Sequence, residues 1–153
     1  MSEHLEGHKE YLTFRLCDEE YAIDILQVRE IRAHEAVTRI AQAPRYVKGV
    51  INLRGAIVPI IDLRARFGLP PVAESSTVVI IVSLGERLTG VVADGVCDVV
   101  ALMPGQVRPA PALRGAIDAS FIVGIAPIDG RMLIVADVAT LVAPGEEPEL
   151  QAA

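Results

Sequence analysis

Cys17 and Cys97 are the only thiols in the sequence, and His4, His8 and His34 its only imidazoles. Metal, redox and nucleophilic chemistry therefore rest largely on five positions. The cysteines fall in apolar, strand-like segments far apart in the chain, which suits free, packed thiols in a reducing compartment better than a disulfide or a reactive sulfur. His4 and His8 belong to a polar N-terminal stretch and His34 follows an apolar run, so all three read as solvated surface imidazoles rather than a metal set. Neither cysteine has a histidine near it in sequence, no Gly-x-Ser-x-Gly occurs, and Ser2, Ser75 and Ser76 sit in tail or linker sequence. No nucleophile has a visible base. Gly85-Glu86-Arg87-Leu88-Thr89-Gly90 lacks the lysine of a phosphate-binding loop and reads as a turn. Asp94 and Asp98 remain as a carboxylate pair with the chemistry for acid–base work, although Asp94-Gly95 is also a tight-turn signal.

The charge balance narrows the partners. A net charge of −6, with no run of basic residues, leaves no surface for neutralising phosphates, and three Tyr, three Phe and no Trp make a poor stacking platform for single strands. Nucleic acid is excluded as a partner. The longest aliphatic run, Val78-Val79-Ile80-Ile81-Val82, falls far short of the roughly 20 residues needed to span a bilayer, so no direct membrane insertion is expected. The polar N-terminus has no apolar core with a cleavage site, and a cytoplasmic location follows as the expectation.

Whatever these residues do, strands must position them. Val and Ile outnumber Leu by more than two to one, which favours β structure, and 153 residues suffice for a core without metal or disulfide support. Residues 1–10 and 143–153 read as tails. Leu12 to Leu16 and Tyr21 to Ile25 alternate around Asp18-Glu19-Glu20 as a hairpin with one wet face, and the strand pattern runs on from Leu26 to Arg32, with Leu26, Val28 and Glu30 on one face. Pro44 to Gly49 has the Pro-first, Gly-last form of a one-turn helix. Arg54-Gly55 turns a second hairpin, and Asp62 caps a short helix from Leu63 to Phe67. After a boundary at Pro70 to Ser76, the strand–turn–strand–strand order repeats from Thr77 to Leu102, with turns at Gly85-Glu86-Arg87 and Asp94-Gly95. A last hairpin, Phe121 to Ala136 around Asp129-Gly130, precedes a helical turn at 138–142 capped by Asp137. The sum is an all-β protein with a few short helices, in two similar barrel-like subdomains at about 11–70 and 77–136, because closure removes exposed strand edges.

Tyr21 to Ile31 and Tyr46 to Leu63, above all Asn52-Leu53-Arg54-Gly55, strongly resemble the CheW family of bacterial chemotaxis coupling proteins. Thr38-Arg39-Ile40, Gly90 to Val100, Arg108-Pro109-Ala110-Pro111 and Arg131-Met132-Leu133-Ile134 extend the resemblance over residues 11–142. It departs at Ala22, where many members carry glycine. The resemblance implies two five-stranded β barrels and a non-catalytic adaptor that joins the cytoplasmic tip of chemoreceptors to the regulatory domain of the histidine kinase CheA, recruited to membrane-associated receptor arrays. It implies no cofactor and a chain that is monomeric when isolated, and 153 residues leave no room for a fused kinase or receiver.

The resemblance also places receptor contact in a groove at Val28, Glu30, Gly49 and Arg54, with Asn52 and Gly55 as structural turn residues. Each has a second reading. Val28 fits core filling, Gly49 fits a helix end, and Glu30 and Arg54 fit an internal ion pair as well as they fit receptor contact. For the kinase, the hairpin tips Asp18–Tyr21 and Gly85–Leu88 are the first places to look. The rival from another class is a small β-barrel enzyme or ligand-binding protein using Asp94 and Asp98 in a cleft.

Overall fold

The computed structural model describes residues 7–33, 36–73, 76–109 and 120–143. His4, His34, Ala110-Pro111 and the segment 144–153 lie outside them. Among the described residues, ten strands form two five-stranded sheets. The first contains β1 (Lys9–Leu16), β2 (Glu19–Asp24), β8 (Gly95–Leu102), β9 (Ile122–Ile128) and β10 (Arg131–Ala136) in the order β8-β1-β2-β10-β9. The second contains β3 (Val28–Ala33), β4 (Val47–Leu53), β5 (Ala56–Asp62), β6 (Val78–Leu84) and β7 (Arg87–Ala93) in the order β3-β6-β7-β5-β4. The β10–β2 and β5–β7 pairs are parallel and the rest antiparallel.

The two-sheet, mostly β architecture agrees with the sequence reading, with two corrections. The sheets are open rather than closed barrels, since β8 and β9, and likewise β3 and β4, stand at opposite ends of their ladders. The subdomain boundary also moves. Sheet two comprises the strands from Val28 to Ala93, while sheet one joins the hairpin β1–β2 to the three strands from Gly95 to Ala136. The repeat in sequence is real, but it crosses over: β1–β2 stay in sheet one while β3 leaves for sheet two, and β6–β7 stay in sheet two while β8 leaves for sheet one.

Both crossings are corrections in detail. Asp24 accepts from the Leu26 N–H at 3.0 Å and caps a 3-10 turn, Ile25–Gln27, that carries the chain between sheets, so Leu26 leaves the strand and is 85% exposed. Asp94-Gly95 likewise makes the passage from β7 to β8 rather than a hairpin turn.

Apolar side chains divide among three cores. Leu12, Phe14, Leu16, Tyr21, Ile23, Ile80, Val82, Val91 and Ala93 meet between the sheets. The opposite faces of the same strands serve the inner cores, with Tyr11 and Ala22 in sheet one and Val79, Ile81 and Val92 in sheet two. Central strands are therefore buried on both faces, and the expected wet face of the first hairpin does not exist in its middle. Ala22 is fully buried there.

The local signals that hold are chemical. Arg54 and Gly55 (φ 49 and 91) and Asp129 and Gly130 (φ 51 and 77) form two-residue turns with both central residues at positive φ, the twist a tight hairpin needs. Asp62 caps α1 (Leu63–Arg66) by accepting from the Arg64 N–H at 3.0 Å, and Asp137 caps α2 (Val138–Leu141) by accepting from the Thr140 N–H at 3.1 Å. The helix expected at Pro44–Gly49 is absent. One hydrogen bond, Val47 N–H to the Pro44 carbonyl at 2.9 Å, makes a turn, and the β-branched run Val47, Val50, Ile51 continues as β4. Lys9 and Glu10 are not tail either: they pair with Leu102 and Ala101, using backbone groups that an apolar pattern cannot reveal.

Candidate functional site

Glu30 and Arg54 meet. Glu30 lies on the edge strand β3 and Arg54 in the β4–β5 turn, and Arg54 Nη2 donates to Glu30 Oε1 at 2.9 Å across the open side of sheet two. Arg32, two residues along β3, donates to the other carboxylate oxygen at 2.7 Å. One carboxylate thus holds two guanidinium groups, and the Arg54 hydrogen bond, followed by that from Arg32, keeps its pKa below the ordinary value. Asn52 braces the turn by accepting from the Gly55 N–H at 2.8 Å, so Asn52 and Gly55 have structural work in the turn. Asn52, Arg54 and Gly55 are exposed, as is Ile57 just beyond them.

Val28 and Gly49 are placed differently. Val28 is half-buried at the start of β3 and packs against the intersheet core. Gly49 is buried inside β4 and ends no helix, and its close neighbour is the Thr38 carbonyl, which accepts from the Val50 N–H at 2.9 Å. The four residues expected at a receptor contact therefore divide into an exposed charged seam, Glu30 and Arg54, and two positions, Val28 and Gly49, covered at least in part by the protein's own chain.

Sheet one carries a similar arrangement. Arg131, the first residue after the Asp129-Gly130 turn, bonds Asp98 on β8 at 2.9 and 3.1 Å and Glu20 on β2 at 2.6 and 3.1 Å. Thr13, fully buried, donates its hydroxyl to Asp98 at 2.6 Å. Arg131 lowers the pKa of both carboxyls, while burial, then Glu20, raises that of the Cys97 thiol. A raised thiol pKa means less thiolate and less reactivity.

Asp94 belongs to a separate network. Its carboxylate accepts from Arg64 Nε at 2.9 Å, from Arg64 Nη2 at 2.7 Å and from the Cys17 N–H at 2.7 Å. Arg64 is the principal cause of its lowered pKa. Asp94 and Asp98 thus each serve their own arginine, and the pair imagined for acid–base work is not assembled. Among the described residues no cluster of three or more His, Cys, Asp or Glu could hold a metal ion, and no helix is long and apolar enough to cross a membrane.

The two hairpin tips are pseudo-equivalent, with Cys17 (φ 58) standing where Gly85 (φ 63) does. Tyr21 cannot belong to an outer surface, because it is 5% exposed and stacks on Phe14 at 5.6 Å.

Glu20, Glu30, Asp94 and Asp98 all hold their protons less tightly when folded than carboxyls ordinarily do. Such groups stabilise the fold above the unfolded carboxyl pKa, and that contribution is lost as pH falls through the lower folded values. The melting temperature should therefore hold from neutrality to about pH 5 and fall progressively below it. Melts in a pH series check this, and a decline already complete at pH 6 would contradict it.

The CheW-like domain matches residues 10–145. The chain is 47% identical to the chemotaxis protein CheW of Klebsiella aerogenes over 139 residues, covering 90% of this chain and 84% of that protein. It is 37% identical over 145 residues to CheW of Rhizobium meliloti, covering 94% and 92%. The crystal structure of the scaffolding protein TtCheW from Thermoanaerobacter tengcongensis superposes with a TM-score of 0.80 at 33% identity, covering 91% of this chain and 97% of that one. Sheet architecture, the Asn52–Gly55 turn and these likenesses converge, and the chain belongs to the CheW family of chemotaxis scaffold proteins.

Proposed function

We propose that this scaffold couples the cytoplasmic tips of chemoreceptors to the regulatory domain of the kinase CheA, without chemistry of its own, and works in the cytoplasm at receptor arrays. The observation that carries the reading is the Glu30–Arg54 seam. Arg54 in the β4–β5 turn, joined by one hydrogen bond to a Glu30 carboxylate that Arg32 also holds, presents a fixed charge pattern beside β3, and Val28 lies at the start of that strand. With one nitrogen on Glu30, the rest of the planar guanidinium is left to meet a partner, which the single ammonium of lysine could not reproduce. The two partners are met on separate surfaces by a monomer, so that one engagement raises the effective concentration of the other. For the kinase, the exposed tips around Asp18 and Glu86 remain the proposed contacts, without Tyr21.

Capture of a chemoreceptor cytoplasmic fragment and of the CheA regulatory domain by the purified protein tests this. Arg54→Ala and Glu30→Ala should each weaken receptor capture roughly tenfold, with little effect on CheA binding, and the double variant should lose clearly less than the product of the two. Arg54→Lys should not restore capture. Independent multiplicative losses would mean that the two residues act separately and that Arg54 touches the receptor itself.

A further inference from the structure

Gly49 lies beneath a short strap, Val37 to Ile40, that crosses the outer edge of β4. Val37 packs against the inner core of sheet two, which contains Ile51, Leu53 and Val58. Thr38 is fixed by two backbone hydrogen bonds with Val50, each 2.9 Å. Beyond it Arg39 and Ile40 face outward, Ile40 at 48% exposure. A Cβ on Gly49 would stand 2.7 Å from the Thr38 carbonyl carbon and 3.1 Å from the Arg39 Cα, and would meet the carbonyl oxygen closer still. These are backbone atoms, so no rotamer change relieves the clash.

The same device recurs in sheet one. Gly124 lies under Arg108, whose N–H and carbonyl both bond Ile125 at 2.8 Å, and a Cβ there would stand 3.2 Å from the Arg108 carbonyl carbon. Tyr46 and Phe121, Gly49 and Gly124, and Asp62 and Asp137 recur at one spacing of 75 residues. The glycine therefore belongs to the construction of the repeat, and a buried α-carbon has nothing to offer a partner.

We infer that Gly49 is a positioning residue and that the strap it admits, through Ile40 and Arg39, is the part of this surface that a chemoreceptor tip meets. The inference rests on the coupling role proposed above. Continuity selects that occupant: the strap follows β3, which carries Glu30, and lies along β4, which leads to Arg54. Anchored inward by Val37 and sideways by Thr38, the strap presents a large aliphatic side chain with little ordering entropy left to lose on binding.

Four variants of the full chain, Ile40→Ser, Gly49→Ala, Gly124→Ala and Arg54→Ala, are compared by melting temperature and by capture of a purified chemoreceptor cytoplasmic fragment. Ile40→Ser should melt within about 2 °C of the parent, as surface changes do, and capture the fragment roughly tenfold more weakly. Gly124→Ala should melt lower yet capture normally below its melting range, whereas Gly49→Ala should lose both. If Ile40→Ser captures normally while Arg54→Ala does not, the strap is not a contact and only this inference fails. If both capture normally, the groove reading fails with it. Should Gly49→Ala not fold, Ile40→Ser against Arg54→Ala still decides.

Discussion

Asp94→Ala is expected to destabilise the protein by about 3 kcal/mol, a fall of roughly 6–12 °C in melting temperature for a domain of this size. Asp94 accepts two hydrogen bonds from Arg64 and one from the Cys17 N–H, and the side chains of the pair are only 12% and 16% exposed. Removing the carboxylate leaves the Arg64 guanidinium with the Pro70 carbonyl and the Cys17 side chain but no ionised partner, and orphans the Cys17 N–H. It also releases Cys17, a non-glycine residue at φ 58 whose conformation that bond helps to hold. The loss lies at the low end for buried pairs because both groups keep some solvent. Asp94→Asn should lose less, since it retains an acceptor. Thermal or urea unfolding measures the difference, and a loss under about 1 kcal/mol would place the pair among surface ion pairs.

Phe14→Ala should cost more, about 4 kcal/mol and roughly 8–16 °C. Phe14 is wholly buried between the sheets and stacks on Tyr21, which in turn meets Phe67 at 6.0 Å and Phe121 at 6.4 Å, while the last two stack at 4.8 Å. Truncation opens a cavity among rings that belong to β1, β2, the end of α1 and the approach to β9, and these elements cannot all collapse into it. Denaturant unfolding should show a lower midpoint with an unchanged slope. A cost below about 1.5 kcal/mol would mean that the intersheet core repacks, which its ring geometry argues against.

What was legible in the sequence was local. Asp62 and Asp137 announce their helices, and Arg54-Gly55 and Asp129-Gly130 their turns, because each signal needs only neighbouring residues. Pairings across the chain were not. Asp94-Gly95 has the composition of a hairpin turn, and only the meeting with Arg64 and Cys17 makes it a crossing between sheets. The alternation in the first hairpin reads as one-sided because Ala22 and Thr13 resemble solvent-facing residues, yet both are fully buried. Gly49 has the local pattern of a helix end, but an aromatic residue three places before a glycine recurs at Phe121 and Gly124, and that recurrence is the sign in the sequence of a close backbone approach. At the proposed receptor contact, the Asn52–Gly55 turn is readable as a motif, while the second guanidinium on Glu30, from Arg32, depends on the pleat of β3.

The crossing of the repeat also sets an order of assembly. Sheet two is complete once Ala93 has left the ribosome, because all five of its strands are consecutive. Sheet one is split, and β2 lacks its parallel neighbour β10 until residues more than a hundred positions later are made, as the Leu133–Glu20 register shows. Such distant pairing is slow to form. The N-terminal hairpin must therefore wait against the completed sheet two, with Leu12, Phe14 and Ile23 covered and Tyr11 and Ala22 still bare. A circular permutant opened between β2 and β3, with its original ends linked, would make both sheets consecutive and remove that wait.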